Sequence, residues 1–241
     1  MTVNGDKSME KNSNWRKSIE KASSKLLVGG FRPTHNPITS CFGEVRVKKL
    51  GQRWPYAAGQ SLWPVCQLNL KEAPFVPDIL KDLAMIQVFI FDDIDFLETN
   101  IIDTTSTDET MVFIRTFENL DTLVPVEMPD HQSTYRPCEA KWENAAQIDY
   151  PTHDTLPIDF DALNIGRYYD QKGIRCVTGT KIGGWPNCIQ SEPWWWDQDF
   201  EYAFQIDSEY RANCVWYDCG TVYVARDRKN PSLWAIDVQF C

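Results

Sequence analysis

Two segments with the same strand pattern, one in each half of the chain, constrain the fold more than any other feature. Residues 64–70 read PVCQLNL and residues 203–208 read AFQIDS, so that Gln67 matches Gln205 and their neighbours keep the same order of apolar and polar residues. Side chains of a strand alternate between its two faces, and equal phase therefore places matched residues on the same face. We expect both segments to be strands of similar units.

The surroundings of these two segments also repeat. A Trp-Pro pair lies upstream of each, at 54–55 and 185–186, and a second β-prone run lies downstream of each, IQVFIF at 86–91 and TVYVAR at 221–226. An ordered set of matches is typical of an internal duplication, in which each copy covers the apolar face of the other. We therefore predict an α+β fold that is mostly antiparallel β, with internally duplicated β units packed together and a few short helices.

The chain is predicted to divide into an N-terminal segment and one domain. Residues 1–41 are expected to be a polar tail and an amphipathic helix, because apolar residues recur near helical spacing over 15–27 and favour docking by the Trp15 side. Residues 42–241 are expected to form a single domain. Its two similar halves, about 42–120 and 175–241, are joined by a connection rich in proline and aspartate.

Several runs of the sequence resemble one known family. They are KIGGWPNCIQSEP at 181–193, FQIDSE at 204–209 with CGTVYVAR at 219–226, and, in the first half, WP, PVCQLNL and IQVFIFDDIDF. Together they are similar to the YwqG-like proteins of bacteria, a domain of unknown function, over about residues 42–241. The resemblance implies a mostly β, α+β fold with an internal duplication, and no settled activity. The first half departs from the family pattern, because it has KKLGQRWP where a Gly-Gly pair is usual.

The net charge of the chain favours a basic protein partner, and the alternative is that it serves solubility alone. The sequence holds 34 acidic and 24 basic residues, a formal charge of -10, which disfavours nucleic acid and anionic membranes and favours a basic protein. No run approaches the roughly 20 apolar residues of a membrane span, and the first residues lack the apolar core of a signal peptide. We therefore expect a cytoplasmic protein, monomeric by itself, with reduced cysteines.

The most unusual motif is a run of three tryptophans flanked by acidic residues. Neighbouring residues of a strand face opposite ways, so three consecutive indoles cannot all point into the core. Exposed tryptophan beside carboxylates is typical of an interface for a basic partner, and the alternative is a loop folded back to cap the core. The predicted partner-binding residues are Trp194, Trp195, Trp196, Glu192, Asp197 and Asp199.

A second candidate site is a polar pocket between the two halves. The matched glutamines could line a small-ligand pocket, or their amides could hold neighbouring backbone inside the core. The Gly183-Gly184 pair favours a turn that needs positive φ or a close approach, and the alternative is a phosphate cradle in which the preceding lysine supplies the cation. The predicted pocket residues are Gln67, Gln205, Asp207 and Lys181.

The sequence contains no recognisable catalytic or metal-ligating set. Its cysteines form no CxxC pair and its histidines form no HExxH motif. Asp92, Asp93 and Asp95 form a DDxD cluster that could gather oxygen ligands, but the glycine and distal glutamate of a calcium loop do not follow. We therefore expect no catalytic residues, no metal and no cofactor.

Three functions remain open from the sequence, and one of them, a housekeeping scaffold with an unknown partner, is not separated by the sequence from the favoured one. The favoured one is a non-enzymatic protein-binding module, specifically a cytoplasmic immunity protein that neutralises a cognate, basic bacterial toxin by direct binding. The resemblance adds support, because members of such families often lie near toxin genes. The alternative is a small-molecule-binding protein or enzyme with its site between the two halves.

Overall fold

A computed structural model describes the chain at residues 15–91, 100–106, 110–129, 133–159 and 167–240. The predicted acidic cluster Asp92, Asp93 and Asp95 lies outside the described residues. The strands, all paired antiparallel, are β1 (Lys21–Val28), β2 (Cys41–Phe42), β3 (Val47–Lys49), β4 (Tyr56–Ala57), β5 (Gln60–Ser61), β6 (Trp63–Asn69), β7 (Met85–Ile90), β8 (Asn100–Asp103), β9 (Val112–Phe117), β10 (Leu123–Pro125), β11 (Cys138–Trp142), β12 (Gln147–Asp149), β13 (Lys181–Gly183), β14 (Phe200–Asp207), β15 (Thr221–Asp227) and β16 (Leu233–Gln239).

Helical structure in the described ranges is short. Residues 15–19 form a helix, and 3-10 turns lie at Leu70–Glu72, Asp78–Leu80, Tyr168–Asp170 and Tyr210–Ala212. Trp15 and Ile19 are buried in one cluster, so the helix docks by its Trp15 side as predicted. The prediction that the helix extends through Leu26 and Leu27 is wrong, because both lie in β1, whose pairing with strands on both sides outweighs helical spacing. No helix in the described ranges is long and apolar enough to cross a membrane.

Most strands join one large antiparallel sheet that nearly closes into a barrel. Its order is β8-β16-β15-β14-β13-β1-β11-β2-β6-β7-β9, with β12 paired to β1 beside β11. The two end strands, β8 and β9, contact each other, which brings the edges of the sheet together. The prediction of a mostly antiparallel β fold is confirmed.

The inner face of this sheet is filled with apolar side chains. A single buried cluster takes residues from strands across the whole sheet, among them Phe42, Leu68, Phe204 and Trp234. Only a common interior can bring side chains from so many strands together, and burial of each large side chain contributes roughly 1.5–3 kcal/mol. The centre of the barrel is therefore a packed core.

The outer face of the sheet is covered by irregular segments in both halves. In the first half, a segment containing Val45 and Leu62 packs on Phe89 of β7. In the second half, the segment before β14 places Trp195 on Tyr223 of β15. Outward-facing residues of the sheet are consequently buried as well, which explains why β6, β7 and most of β14 and β15 are inaccessible on both faces.

The long strands β6 and β14 pair with their neighbours in matching registers. Cys41 of β2 pairs with Gln67 of β6, and Lys181 of β13 pairs with Gln205 of β14. Each long strand then carries a register shift at the same distance before its glutamine, between Pro64 and Cys66 in β6 and between Tyr202 and Phe204 in β14. The two Trp-Pro pairs do not occupy equivalent positions in the fold. One glycine separates Trp185 from the end of β13, whereas Trp54 lies between β3 and β4.

When β1 is counted with the first half and β11 with the second, the first strand of each half pairs across to the other half. β1 precedes β2 in the chain but pairs with β13, where Ser24 lies opposite Ile182. β11 precedes β13 but pairs with β2, where Cys138 lies opposite Phe42. β1 and β11 pair with each other. The segment before residue 42 is thus part of the large sheet, and the two halves are interlocked at its middle.

Candidate functional site

The two matched glutamines are fully buried and hold the covering segments. The amide nitrogen of Gln67 donates to the carbonyls of Pro37 and Thr39 at 2.9 Å each, and its oxygen accepts from the backbone N–H of Arg46 at 3.0 Å. The amide group of Gln67 is therefore occupied by backbone partners rather than directed into a cavity.

Gln205 makes the corresponding contacts in the second half. Its amide nitrogen donates to Gly179 O and its oxygen accepts from the backbone N–H of Asn187, both at 3.0 Å. Nearby, the Asp207 carboxylate accepts from the N–H of Ser208 and the hydroxyl of Thr221. Four strands separate β6 from β14 in the sheet order. The structure therefore places Gln67 and Gln205 at equivalent positions in separate halves, rather than together around one pocket.

Lys181, the fourth predicted pocket residue, belongs to a buried ion pair. Its ammonium nitrogen lies 2.6 Å from Asp149 Oδ2, and both side chains are completely inaccessible. The ammonium also donates to Val177 O at 2.5 Å. The carboxylate of Asp149 accepts from the backbone N–H groups of Val177 and Trp185 at 2.7 and 3.0 Å. The pair thereby joins β12, β13 and the segment between them.

The Gly183-Gly184 pair is explained by backbone geometry, as predicted. Both residues have positive φ, 66° and 72°. A methyl group added at Gly184 would lie 2.1 Å from Asp149 Oδ2, and one at Gly183 would lie 2.8 Å from the ring of Phe75. The glycines are required because the chain turns tightly against the buried carboxylate. The lysine that a phosphate cradle would need is already paired.

A surface cleft lies beside this ion pair. It has a volume of about 340 Å³ and is lined by residues of β1, β12 and the segment before β13: Lys25, Gln147, Ile148, Tyr150, Gly173, Arg175, Cys176, Val177 and Thr178. The thiol of Cys176 lies 4.0 Å from the ammonium of Lys181, so it marks where the cleft approaches the pair. Burial raises the pKa of that thiol to about 12, which leaves it protonated and weakly nucleophilic at neutral pH.

The three tryptophans fold back onto the outer face of the second half. Trp195 is fully buried. The indole N–H of Trp194 donates to Ile236 O at 2.8 Å, and the ring of Trp196 packs 6.1 Å from that of Trp185. The indole of Trp195 therefore offers no surface to a partner, while those of Trp194 and Trp196 are half-buried. This arrangement is that of a loop capping the core.

The acidic residues of the same loop remain on the surface. Glu192, Asp197 and Asp199 are exposed, and Asp199 forms an exposed ion pair with Lys229 at 2.6 Å. Near the start of the loop, the side chain of Gln190 donates to Phe240 O. The ring of Phe240 stacks 4.5 Å from that of Tyr217. These two partly exposed aromatic rings were missed in the sequence, because nothing in the spacing of residues 217 and 240 indicates that they meet.

Among the described residues, no group of three histidine, cysteine or acidic side chains is placed to hold a metal ion. The buried thiols of Cys41, Cys66 and Cys214 all have pKa values raised by burial. Cys41 lies in β2 and Cys66 in β6, whereas Cys214 lies between β14 and β15 and joins the same apolar cluster as Cys66. All three therefore fill the core as small apolar groups do.

One family model matches the chain. It is described as "Domain of unknown function (DUF1963)" and covers residues 43–230. This range begins just after β2 and ends before β16, so it contains both buried glutamines, the ion pair and the tryptophan loop. No curated protein matches the sequence. Because the model covers most of its length, the chain belongs to the DUF1963 family.

Proposed function

We propose that this protein is a non-enzymatic binding module of the cytoplasm, and specifically a YwqG-like immunity protein that neutralises a basic bacterial toxin by direct binding. The observation that carries the proposal is the anchored acidic loop at residues 191–199. Its indoles are packed against β15 and β16 while its carboxylates face solvent. A loop fixed in this way presents charge at little cost in conformational entropy on binding.

The electrostatics of the chain support a basic partner. The formal charge of -10 attracts cationic proteins at long range, and the exposed carboxylates of Glu192 and Asp197 can orient them at contact. The stacked rings of Tyr217 and Phe240 lie beyond Gln190, near the start of the loop. Their exposed faces can receive an arginine side chain through a cation–π contact.

We further propose that the two halves arose by internal duplication, which the shared registers and glutamine contacts support. The covering segments are where the halves differ. A segment with β3, β4 and β5 covers the first half, whereas the tryptophan loop covers the second. A binding function acquired after duplication would reside in one of these two covering segments, and the exposed carboxylates beside the indoles favour the tryptophan loop.

The proposal is tested by capturing partners of the tagged full chain from its native host, together with the products of neighbouring genes. We expect a one-to-one complex with a basic, toxic protein, and restored growth when the two are co-expressed. The charge reversals Glu192→Lys and Asp197→Lys should together weaken this complex by about tenfold or more, since like charges would then face each other.

A matched control reverses two exposed acids elsewhere, Glu118→Lys and Asp121→Lys, which lie between β9 and β10. This control keeps the net charge equal to that of the loop variant and should bind as the unmodified protein does. Equal weakening by both variants would show that binding depends on net charge alone, and it would refute the assignment of the loop as the binding site. Failure of every neighbouring gene product to bind would refute the immunity function.

A further inference from the structure

The cleft beside the buried ion pair combines cationic, polar and apolar walls. Lys25 and Arg175 line it, together with the polar side chains of Gln147 and Thr178 and the apolar side chain of Ile148. Its volume of about 340 Å³ lies within the range of small-ligand sites, roughly 300–1,000 Å³. No carboxylate is among the lining residues of this cleft in the described part of the chain. The charged side chains that line it are therefore both cationic, and the nearby carboxylates of Glu143 and Glu20 are engaged by the lining residues Gln147 and Tyr150.

The two lysines on this face of the sheet have different environments. Lys25 of β1 lies directly opposite Lys181 of β13 in the antiparallel ladder, so their side chains leave the sheet on the same face. The charge of Lys181 is compensated by Asp149 at 2.6 Å within the core. Lys25 instead lines the open cleft. Two acids lie around it. The charge of Lys25 acts on the carboxylate of Glu209, which accepts from the hydroxyl of Thr180, and the backbone N–H of Glu143 donates to the carbonyl of Lys25 at 2.9 Å.

The floor of the cleft is held rigid by the buried pair. Val177 is fixed through both of its backbone groups, since its N–H donates to Asp149 and its carbonyl accepts from Lys181. The flanking residues Cys176 and Thr178 line the cleft on either side of it. A ligand that settles on this segment does not have to order it, which lowers the entropic cost of binding.

We propose that this cleft binds a small organic anion, with Lys25 and Arg175 holding a carboxylate or phosphate group and Ile148 contacting its apolar part. A guanidinium and an ammonium that line one cleft suit an oxyanion, because both donate charge-assisted hydrogen bonds. The exposed side chain of Ile148, with 62% of its surface accessible, supplies apolar area at the mouth. The site uses none of the residues proposed for the protein partner. Binding of an anion in the cleft can therefore be confirmed or refuted independently of the proposed function.

The test is calorimetric titration of the full chain with phenyl phosphate and with benzoate, which present the two anionic groups on the same apolar ring. Benzamide serves as the neutral probe of similar shape. We expect at least one of the anions to bind and benzamide not to bind. Arg175→Gln and Lys25→Gln should each weaken anion binding by about tenfold or more, the loss expected for a charge-assisted hydrogen bond.

Controls separate the site from general charge and from folding. Lys172→Gln removes an exposed cation close in sequence but outside the lining residues, and it should leave binding unchanged. Arg175 is exposed, so its variant is expected to fold even if replacement of Lys25 disturbs β1. The proposal is overturned if neither anion binds, if benzamide binds as tightly as the anions, or if Arg175→Gln and Lys172→Gln have equal effects.

Discussion

Removal of the Lys181 ammonium should destabilise the protein severely. In Lys181→Met, the carboxylate of Asp149 stays fully buried and loses its cation, while it keeps the backbone N–H donors of Val177 and Trp185. Val177 also loses the partner of its carbonyl. Breaking a buried ion pair by removing one member costs about 3–5 kcal/mol, a large part of the roughly 5–15 kcal/mol that stabilises a typical domain.

The double variant Lys181→Met with Asp149→Asn should be more stable than either single variant. Val177 donates to Oδ1 of Asp149 and Trp185 donates to Oδ2. An asparagine has an NH2 group in place of one of these oxygens, so one of the two N–H groups loses its acceptor. One buried N–H is then left unsatisfied, at about 1–3 kcal/mol, whereas no buried charge remains. The two single costs should therefore be far from additive, as expected for groups in direct contact.

Urea unfolding at neutral pH, followed by tryptophan fluorescence, measures these differences in the free energy of unfolding. The exposed pair Lys229–Asp199 provides a matched control, because its nitrogen-to-oxygen distance is also 2.6 Å while its side chains are 75% and 60% accessible. Lys229→Met with Asp199→Asn should leave the free energy of unfolding nearly unchanged, because an exposed ion pair is screened by solvent. Additive losses in the buried pair, or equal losses in the two pairs, would refute the reasoning.

Three further outcomes are expected. Gly184→Ala should lower the melting temperature strongly in calorimetry, since the new methyl group meets Asp149 Oδ2 at 2.1 Å and the residue has positive φ; an unchanged transition would contradict the turn geometry. Burial alone would raise the pKa of Glu139, but hydrogen bonds from Arg46 and two backbone N–H groups lower it to about 2. The ionised carboxylate of Glu139 therefore stabilises the fold above the unfolded pKa, near 4.3, and this stabilisation is lost as the pH falls towards 2. In Glu139→Gln, the free energy of unfolding should consequently depend less on pH in this range. An identical pH profile of the variant and the unmodified protein would contradict this prediction. Gln67→Leu and Gln205→Leu should destabilise the protein to a similar extent in urea titrations, because each leaves equivalent backbone groups unpaired; a large cost in only one half would contradict their equivalence.

Local patterns in the sequence were sufficient to predict the long strands and the glycine turn. Alternation around Gln67 and Gln205 marks β6 and β14, because both strands keep one apolar face for the common core. The glycines after Lys181 indicated a turn, since few other residues adopt positive φ. For the glutamines, the prediction of buried amides holding backbone and that of a pocket were both open. Only the positions of the covering segments distinguish them.

Long-range partners could not be predicted from local pattern. Asp149 lies in the connection rich in proline and aspartate, and nothing in its neighbourhood indicates that it pairs with Lys181. The same holds for β1, for which the spacing of apolar residues predicts a helix, whereas the partner that makes it a strand, β13, lies far along the chain. The cleft lined by Lys25 and Arg175 depends on both of these contacts. These features depend on pairing between distant segments of the chain. Such pairing has little effect on the spacing of apolar residues within one segment, which is the signal that a local pattern provides.

The exchange of first strands between the halves determines how the chain can be divided. A cut between β10 and β11 would leave an N-terminal fragment with the strand that β13 requires and a C-terminal fragment with the strand that β2 requires. Neither fragment could complete its own sheet, yet the two together hold every partner. Such fragments should reassemble as an obligate pair, which would make this barrel a split-protein scaffold. Two intact chains could trade the same strands and form a domain-swapped dimer.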